Sequence, residues 1–383
     1  MLGSKQLMKV LADFLFGFYL LDLVLKPRNK PYTTTLCFML KKEKNKMNKI
    51  ILFGFLMIVM ISSCTNDNTS HKNISFYHWK SNAEFNKSYQ KALNITQTNK
   101  IYLHYFDIET VHEPSWSNDG VFPTYVLKNV TQDYQKFEIV PVVYITNRVF
   151  KTKDLDITDL SNRIKKLINQ ISETQFNKEI KQIQIDCDWT ESTRGAYFEL
   201  LKQLQNYFEI DVTIRLHQIK YKKKTGIPPV KKGTLMLYNV GDLKNKQQNS
   251  TLESSIVKQY IISETDYPLS LNIGLPLFSQ TVITNNDNKI KIIKNTERNA
   301  LENDDHFKIV DNLNLMVVKD TLYKGFFLSK GFNLKFEEIN ETVITESFRI
   351  IKNSNLKINE VIFYHLDEKS LSNINLKKII EKL

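Results

Sequence analysis

The feature that most restricts the fold is a recurrence. Eight short apolar segments recur, most of them closing on polar or aromatic residues, and helical patterns separate most of them. The first four are Ile74–Trp79, Ile101–Asp107, Glu138–Thr146 and Gln182–Asp188. The last four are Asp211–His217, Thr234–Val240, Leu269–Leu275 and Glu360–Asp367. In the fourth, Ile183, Ile185 and Cys187 alternate with Gln184, Asp186 and Asp188, so a strand sets two carboxylates opposite its apolar face. Thr190 then stands at a helix N-cap position, and Glu191 suits the positive end of the helix dipole. Phe198, Leu201, Leu204 and Tyr207 follow at helical spacing. Further helices are predicted at Ala83–Leu93, Ile157–Glu173, Leu252–Ile262, Glu341–Lys352 and Ser370–Leu383. Eight strands alternating with helices predict an α/β protein, a TIM-type (β/α)8 barrel over residues 74–383.

The stretch between the seventh and eighth strands is too long to be a structureless loop. Lys289–Ile293, Phe307–Ile309, Leu313–Lys319, Leu322–Leu328 and Phe332–Phe336 alternate in character and are joined by Asn, Asp and Gly turns. They predict a small β-rich insertion at about residues 285–339, serving as lid, binding platform or packing.

The front of the chain reads differently. Met47-Asn-Lys, the apolar run Ile50–Ile61 and then Ser62-Ser63-Cys64 have the layout of a secretory signal. The apolar core is too short to span a bilayer as a helix. Ile61-Ser-Ser-Cys64 resembles a bacterial lipobox, which implies a lipid on Cys64, a signal peptide at 47–63 and a flexible tether at 64–73. Residues 1–46, with Asp13 and Asp22 interrupting their apolar run, are read as an upstream translation; a second membrane helix is the alternative. This layout places the protein in the cell envelope, anchored to a membrane, most simply the outer one.

Charge and cysteine usage exclude other classes. The net charge of +12 is concentrated at the front: residues 1–64 hold ten Lys/Arg and three Asp/Glu, which leaves 43 against 38 beyond them. No basic stripe interleaved with aromatic residues is present, so no nucleic-acid partner is expected. Of three cysteines, Cys37 falls in the upstream stretch and outside the mature protein, Cys64 would carry the lipid and Cys187 faces the apolar side of its strand, so no disulfide is expected. No Cys/His cluster has zinc spacing, and neither a metal nor a cofactor is assigned.

In a (β/α)8 barrel, ligands bind at the carboxyl ends of the strands. That mouth collects His78, Trp79, His104, Asp107, Tyr144 and Asn147 from the first three strands. It collects Asp186, Asp188 and Trp189, then Arg215, His217 and Gln218, from the fourth and fifth. Tyr238, Asn239, Asn272, His365 and Asp367 complete it. Asp188 is the candidate acid/base, Asp186 its charge partner, and Asp107 or Asp367 a second carboxylate, because two neighbouring acids raise the proton affinity of one. Asp107, Trp189, Arg215, Gln218, Tyr238, Asn239, His365 and Asp367 are the candidate substrate contacts. Blander readings stand beside these. Asp186 could pair with Arg215 as a buried bridge, Glu191 could serve only the helix dipole, and the histidines could each be satisfied core groups. A divalent ion among Asp107, Asp186, Asp188 and Asp367 is a further alternative.

The segment Ile185-Asp-Cys-Asp-Trp-Thr-Glu191 resembles the Asp-x-Asp-Trp-Glu strand of chitinase-like glycoside hydrolases of family 18. Met236-Leu-Tyr-Asn239 resembles that group's Met-x-Tyr-Asp/Asn segment on strand six. The resemblance implies Glu191 as the acid that protonates the leaving oxygen, the preceding aspartate as the group that orients the substrate acetamide, and Tyr238 as an assisting residue. Two departures qualify it: Thr190 intervenes before Glu191, and the glycine-rich third-strand motif is missing from Val140–Asn147. Over about residues 74–383 the chain also resembles Bacteroidetes envelope lipoproteins with a glycoside-hydrolase-like barrel, on the stretch Gln184–Tyr197. The seventh strand carries no carboxylate, which disfavours a retaining mechanism that pairs acids on strands four and seven. Two functions follow, an enzyme acting on a glycan or glycoconjugate, or a non-catalytic barrel that binds a glycan or a protein in the envelope.

Overall fold

The computed structural model describes residues 73–110, 119–296 and 298–383. The upstream stretch, the signal peptide, Cys64, nearly all of the tether and Trp116 lie outside the described residues. Eight parallel strands close on themselves: β1 Ile74–His78, β2 Lys100–Thr110, β3 Glu138–Ile145, β4 Gln182–Asp186, β5 Glu209–Arg215, β6 Lys232–Met236, β7 Ser270–Pro276 and β8 Ile358–Tyr364. Neighbours pair in sequence order, and β1 closes the ring by pairing with β8, Ile74 opposite Val361, and with β2, Phe76 opposite Ile101. This is the (β/α)8 TIM-type barrel that the alternation predicts.

The helices form because one stripe of each can be buried against the strands. In α2, Ile157–Phe176, Leu160, Ile164, Ile168 and Ile171 are buried at helical spacing, and Asp156 caps the first turn by accepting from the backbone N–H of Thr158 and Asp159. The first helix, α1 at Lys87–Thr96, starts later than expected. The Asn86 side chain caps it by accepting from Tyr89 N–H, and Ala83 belongs instead to a two-residue strand paired with Asn129–Val130. The third, α3 at Arg194–Leu204, also starts late: Thr190 is not its N-cap. Short helices Leu216–Lys220 and Ser254–Tyr260 follow β5 and β6, Glu341–Lys352 precedes β8, and the expected closing helix is two pieces, Glu368–Ser372 and Leu376–Lys382. Among the described residues no helix is long and apolar enough to cross a membrane.

The insertion is a five-stranded antiparallel sheet in the order Ile290–Lys294, Gln280–Thr284, Asn333–Glu337, Asn314–Val317, Phe307–Ile309, with a hairpin Thr321–Tyr323/Phe326–Leu328. It has a core of its own, including Ile283, Leu315, Val317, Leu328, Leu334 and Phe336. Gln280–Thr284 leaves β7 almost directly, so the sheet rises from the carboxyl end of the barrel, where the mouth lies.

Candidate functional site

Inside the barrel, inward-facing residues form two levels with opposite chemistry. At the foot, Tyr77 donates to Gln184 at 2.7 Å, Gln184 donates to Thr234 at 2.9 Å, and Thr234 donates to Asp211 at 3.1 Å. Asn272 donates to Asp211 at 3.0 Å, and Glu360 accepts from Tyr102 at 3.3 Å and from Ser75. Asp211 is completely buried, and burial raises its carboxyl to about 7 even though Thr234 and Gln184 lower it. Each of these side chains has a hydrogen-bond partner within the plug, which suits a structural role. Asp211 and Glu360 were not among the residues singled out from sequence. The Asp211-x-Thr213-x-Arg215 alternation of β5 and Glu360, in register with the inward face of β8, are the sequence signals of these inward polar groups.

The mouth is built around Asp186. It is the last residue of β4, points to the barrel axis and accepts from Thr213 Oγ1 at 2.6 Å, yet keeps solvent contact at the floor of the opening. Burial raises its carboxyl to about 6; the negative charges of Asp188 and Asp107 push the same way, and Thr213 and Arg215 oppose. Asp188 lies two residues beyond, above the strand. Arg215 grips it with both branches, Nε to Oδ1 at 2.6 Å and Nη2 to Oδ2 at 3.1 Å. The same guanidinium donates to the Tyr238 carbonyl at 3.2 Å, just before Asn239 turns the chain with φ of +53°. Arg215 therefore pairs with Asp188 and not with Asp186. Asp188 retains 45% of its side-chain exposure in this pair, so it remains reachable from the mouth.

Aromatic rings wall the opening. Tyr238 stacks on Tyr364 with centroids 4.7 Å apart, Phe278 meets Tyr364 edge-on at 5.7 Å, and Trp79 lies 5.8 Å from Tyr364 and 4.8 Å from His104. Tyr144 also faces the carboxylates; burial and the charges of Asp186 and Asp188 push its hydroxyl up to about 12. Beside Tyr364 the mouth continues into a cleft of about 590 Å³ shared with the insertion, lined by Asn239, Gly241, Leu243, Ser250, Phe278, Gln280, Ile292 and Lys294. Its far wall, the loop from Gly241 to Thr251, is clamped by the insertion. Lys335 donates to the carbonyls of Asn245 and Gln248 at 2.8 and 3.0 Å and pairs with Glu337, which accepts from Ser250 and Thr251.

The other residues named from sequence are distributed as follows. Asp107 is held by His104 Nε2 at 2.7 Å, on the side of the mouth facing Asp186. Asp367 belongs to a separate cluster. Lys80 binds it at 3.1 Å, Asn295 at 2.9 Å and the Ser370 backbone N–H at 3.1 Å; although burial works against its charge, Ser370 and Lys80 hold its carboxyl below the usual range. His365 is buried next to this cluster, and its burial drops the imidazole to about 3, so it is neutral at physiological pH. Trp189 is 1% exposed, stacks on Tyr197 and donates to the Thr225 carbonyl, so neither of its faces is open to a ligand. Gln218 is fully buried and braces the floor, accepting from Arg215 N–H and donating to the Trp189 carbonyl. Glu191 is exposed in the turn after β4, five residues past Asp186. Cys187 is buried and free. Among the described residues, no three acidic, histidine or cysteine side chains come together as a metal-binding group.

No family model matches the sequence, and no curated protein matches it. Solved structures with a similar course of chain include the Bacillus cereus spore cortex-lytic enzyme SleL, 12% identical, covering 80% of this chain and 74% of its own, with a TM-score of 0.42. Another is the C-terminal domain of a Desulfitobacterium hafniense protein described as a chitinase, 11% identical, covering 82% and 99%, with a TM-score of 0.45. A β-1,4-mannanase of family GH113 is 11% identical and covers 82% and 99%, with a TM-score of 0.33.

Proposed function

We propose that the barrel mouth takes a glycan and that Asp186 exchanges a proton with it. The observation that carries this reading is the position of Asp186: a carboxyl whose burial raises it to about 6 sits at the floor of an opening walled by Trp79, Tyr144, Tyr238 and Tyr364. Aromatic walls suit the apolar faces of sugar rings, and a carboxylic acid near neutrality suits protonation of a glycosidic oxygen. In this reading Asp188 and Asp186 divide the work differently from the expectation. Both Asp188 oxygens are engaged by Arg215, so Asp188 fixes the guanidinium and orients substrate, and Asp186 handles the proton. Asp107, supported by His104, supplies the second carboxylate.

A second reading, a glycan-binding barrel without turnover, is favoured by one observation: Glu191, which the family 18 resemblance makes the acid, is exposed in a turn outside the barrel axis. Asp186→Asn separates the two. On a panel of soluble glycans the proton-transfer reading expects turnover that the substitution abolishes while retention on the same glycan survives. Retention without turnover in the native protein selects the binding reading. Neither turnover nor retention on any glycan removes both.

We also propose that the protein is tethered to the cell envelope by a lipid on Cys64, on the strength of the Ile61-Ser-Ser-Cys64 sequence. Incorporation of a labelled fatty acid by the native chain, lost in Cys64→Ala, is the expected result; equal labelling of both contradicts it.

A further inference from the structure

Lys294 closes its insertion strand at the edge of the 590 Å³ cleft. Its Nζ lies 5.3 Å from the centre of the Phe278 ring and 5.9 Å from that of Tyr364. The remaining residues that line the cleft are neutral, so Lys294 is its one charged wall residue among the described residues. No carboxylate among the described residues lies within ion-pair distance of it; Asp367 acts on it only at longer range and is itself held by Lys80 and Asn295. Other mouth cations have acidic partners, Arg215 in Asp188 and Lys80 in Asp367. Burial among the rings makes the Lys294 ammonium easier to deprotonate than usual and the distant Asp367 only partly offsets this, so an anion brought beside it would favour the charged form.

The geometry points to a glycan bearing an anionic substituent as the ligand of this cleft, with a sugar ring against Tyr364 and the substituent, a carboxylate or a sulfate, received by Lys294. This rests on the glycan reading of the mouth and narrows it. Tyr364 joins the two parts. Lys294 lies over it on the cleft side, and Asp186 acts on its hydroxyl from the floor of the barrel. A ring seated there packs against the one side chain on which both the cation and the proton-exchanging acid act. Asn239, exposed on the opposite edge, offers a neutral amide to the same ring.

The test compares retention of matched polymers by the full chain. Polygalacturonate against its methyl ester reads a carboxylate, and dextran sulfate against dextran reads a sulfate. The acidic member of at least one pair is expected to bind at least tenfold more tightly, an advantage that falls with added salt. Lys294→Met should abolish that advantage, and Lys294→Arg should keep it. Equal binding within both pairs, or an advantage that Lys294→Met leaves intact, overturns the inference and leaves the glycan reading standing. Failure of all four polymers and of the neutral glycan panel overturns both.

Discussion

Lys335 and Glu337 should couple the insertion to the mouth strongly enough to measure. Both are buried, at 2% and 0% side-chain exposure, and their charged atoms are 2.7 Å apart. Lys335 also donates to the carbonyls of Leu243, Asn245 and Gln248; Glu337 accepts from Ser250, Thr251 and Gln280. Although burial works against its charge, these donors hold the Glu337 carboxyl below its usual range. Lys335→Met strands a carboxylate and leaves three carbonyls without their donor. Breaking one side of such a pair costs about 3–5 kcal/mol, a sizeable share of a total stability of about 5–15 kcal/mol. Adding Glu337→Gln removes the stranded charge while keeping partners for Ser250 and Thr251. The double variant should therefore lose less than the sum of the single ones, by about 0.5–3 kcal/mol. Urea unfolding gives the energies, and amide exchange over residues 241–251 gives the location. A loss for Lys335→Met within about 0.5 kcal/mol, as at an ordinary surface site, with unchanged exchange in that loop, refutes the clamp.

Other outcomes follow from the same geometry. Asp211 holds its proton in the fold up to about pH 7, whereas in the unfolded chain it releases it near 3.8, the ordinary value of an aspartate. The fold therefore binds the extra proton between those limits, and its stability falls as pH rises through that window, by up to about 4 kcal/mol. Asp211→Asn should flatten this slope in chemical unfolding measured from pH 4 to 8, and an unchanged slope contradicts the assignment. Trp189→Ala should cost about 3–5 kcal/mol by thermal or urea unfolding, as for a core aromatic, and not merely weaken glycan retention. Gly233→Ala should cost about 1–3 kcal/mol, because its Cβ would come within 2.5 Å of Ile214 Cδ1 in the adjacent strand β5.

The barrel was legible in the sequence because most strands carry their own evidence: alternation, a polar end and, for most of them, a following helical stripe are local properties. Helix starts were less so. Thr190 has the right chemistry for an N-cap, but its N–H donates to Thr193 Oγ1 and the chain makes a full turn before the helix begins. Position along a strand indicated which residues approach the mouth, but not which remain open. Trp189 follows Asp188 directly and yet turns under α3, since a ring of that size is most stable with both faces packed. The Asp188–Arg215 pair was within reach of the sequence as a cross-strand acid and base, with the wrong one of two acids paired in the blander reading. Lys335 and Glu337 were not legible at all. Alternating with Leu334 and Phe336, they read as the wet face of a strand, and only the docking of the 241–251 loop onto that face buries them.

The proton-exchange role requires the Asp186 carboxyl to titrate near pH 6, close enough to neutrality to give and take a proton, at the point where a glycan would arrive. A carbon-detected titration of the Asp186 carboxyl, assigned by its loss in Asp186→Asn, tests this directly. The midpoint should lie near 6 and move when a retained glycan is added. A midpoint near 3.9, the value of an ordinary aspartate, with no response to any glycan on the panel, would contradict it.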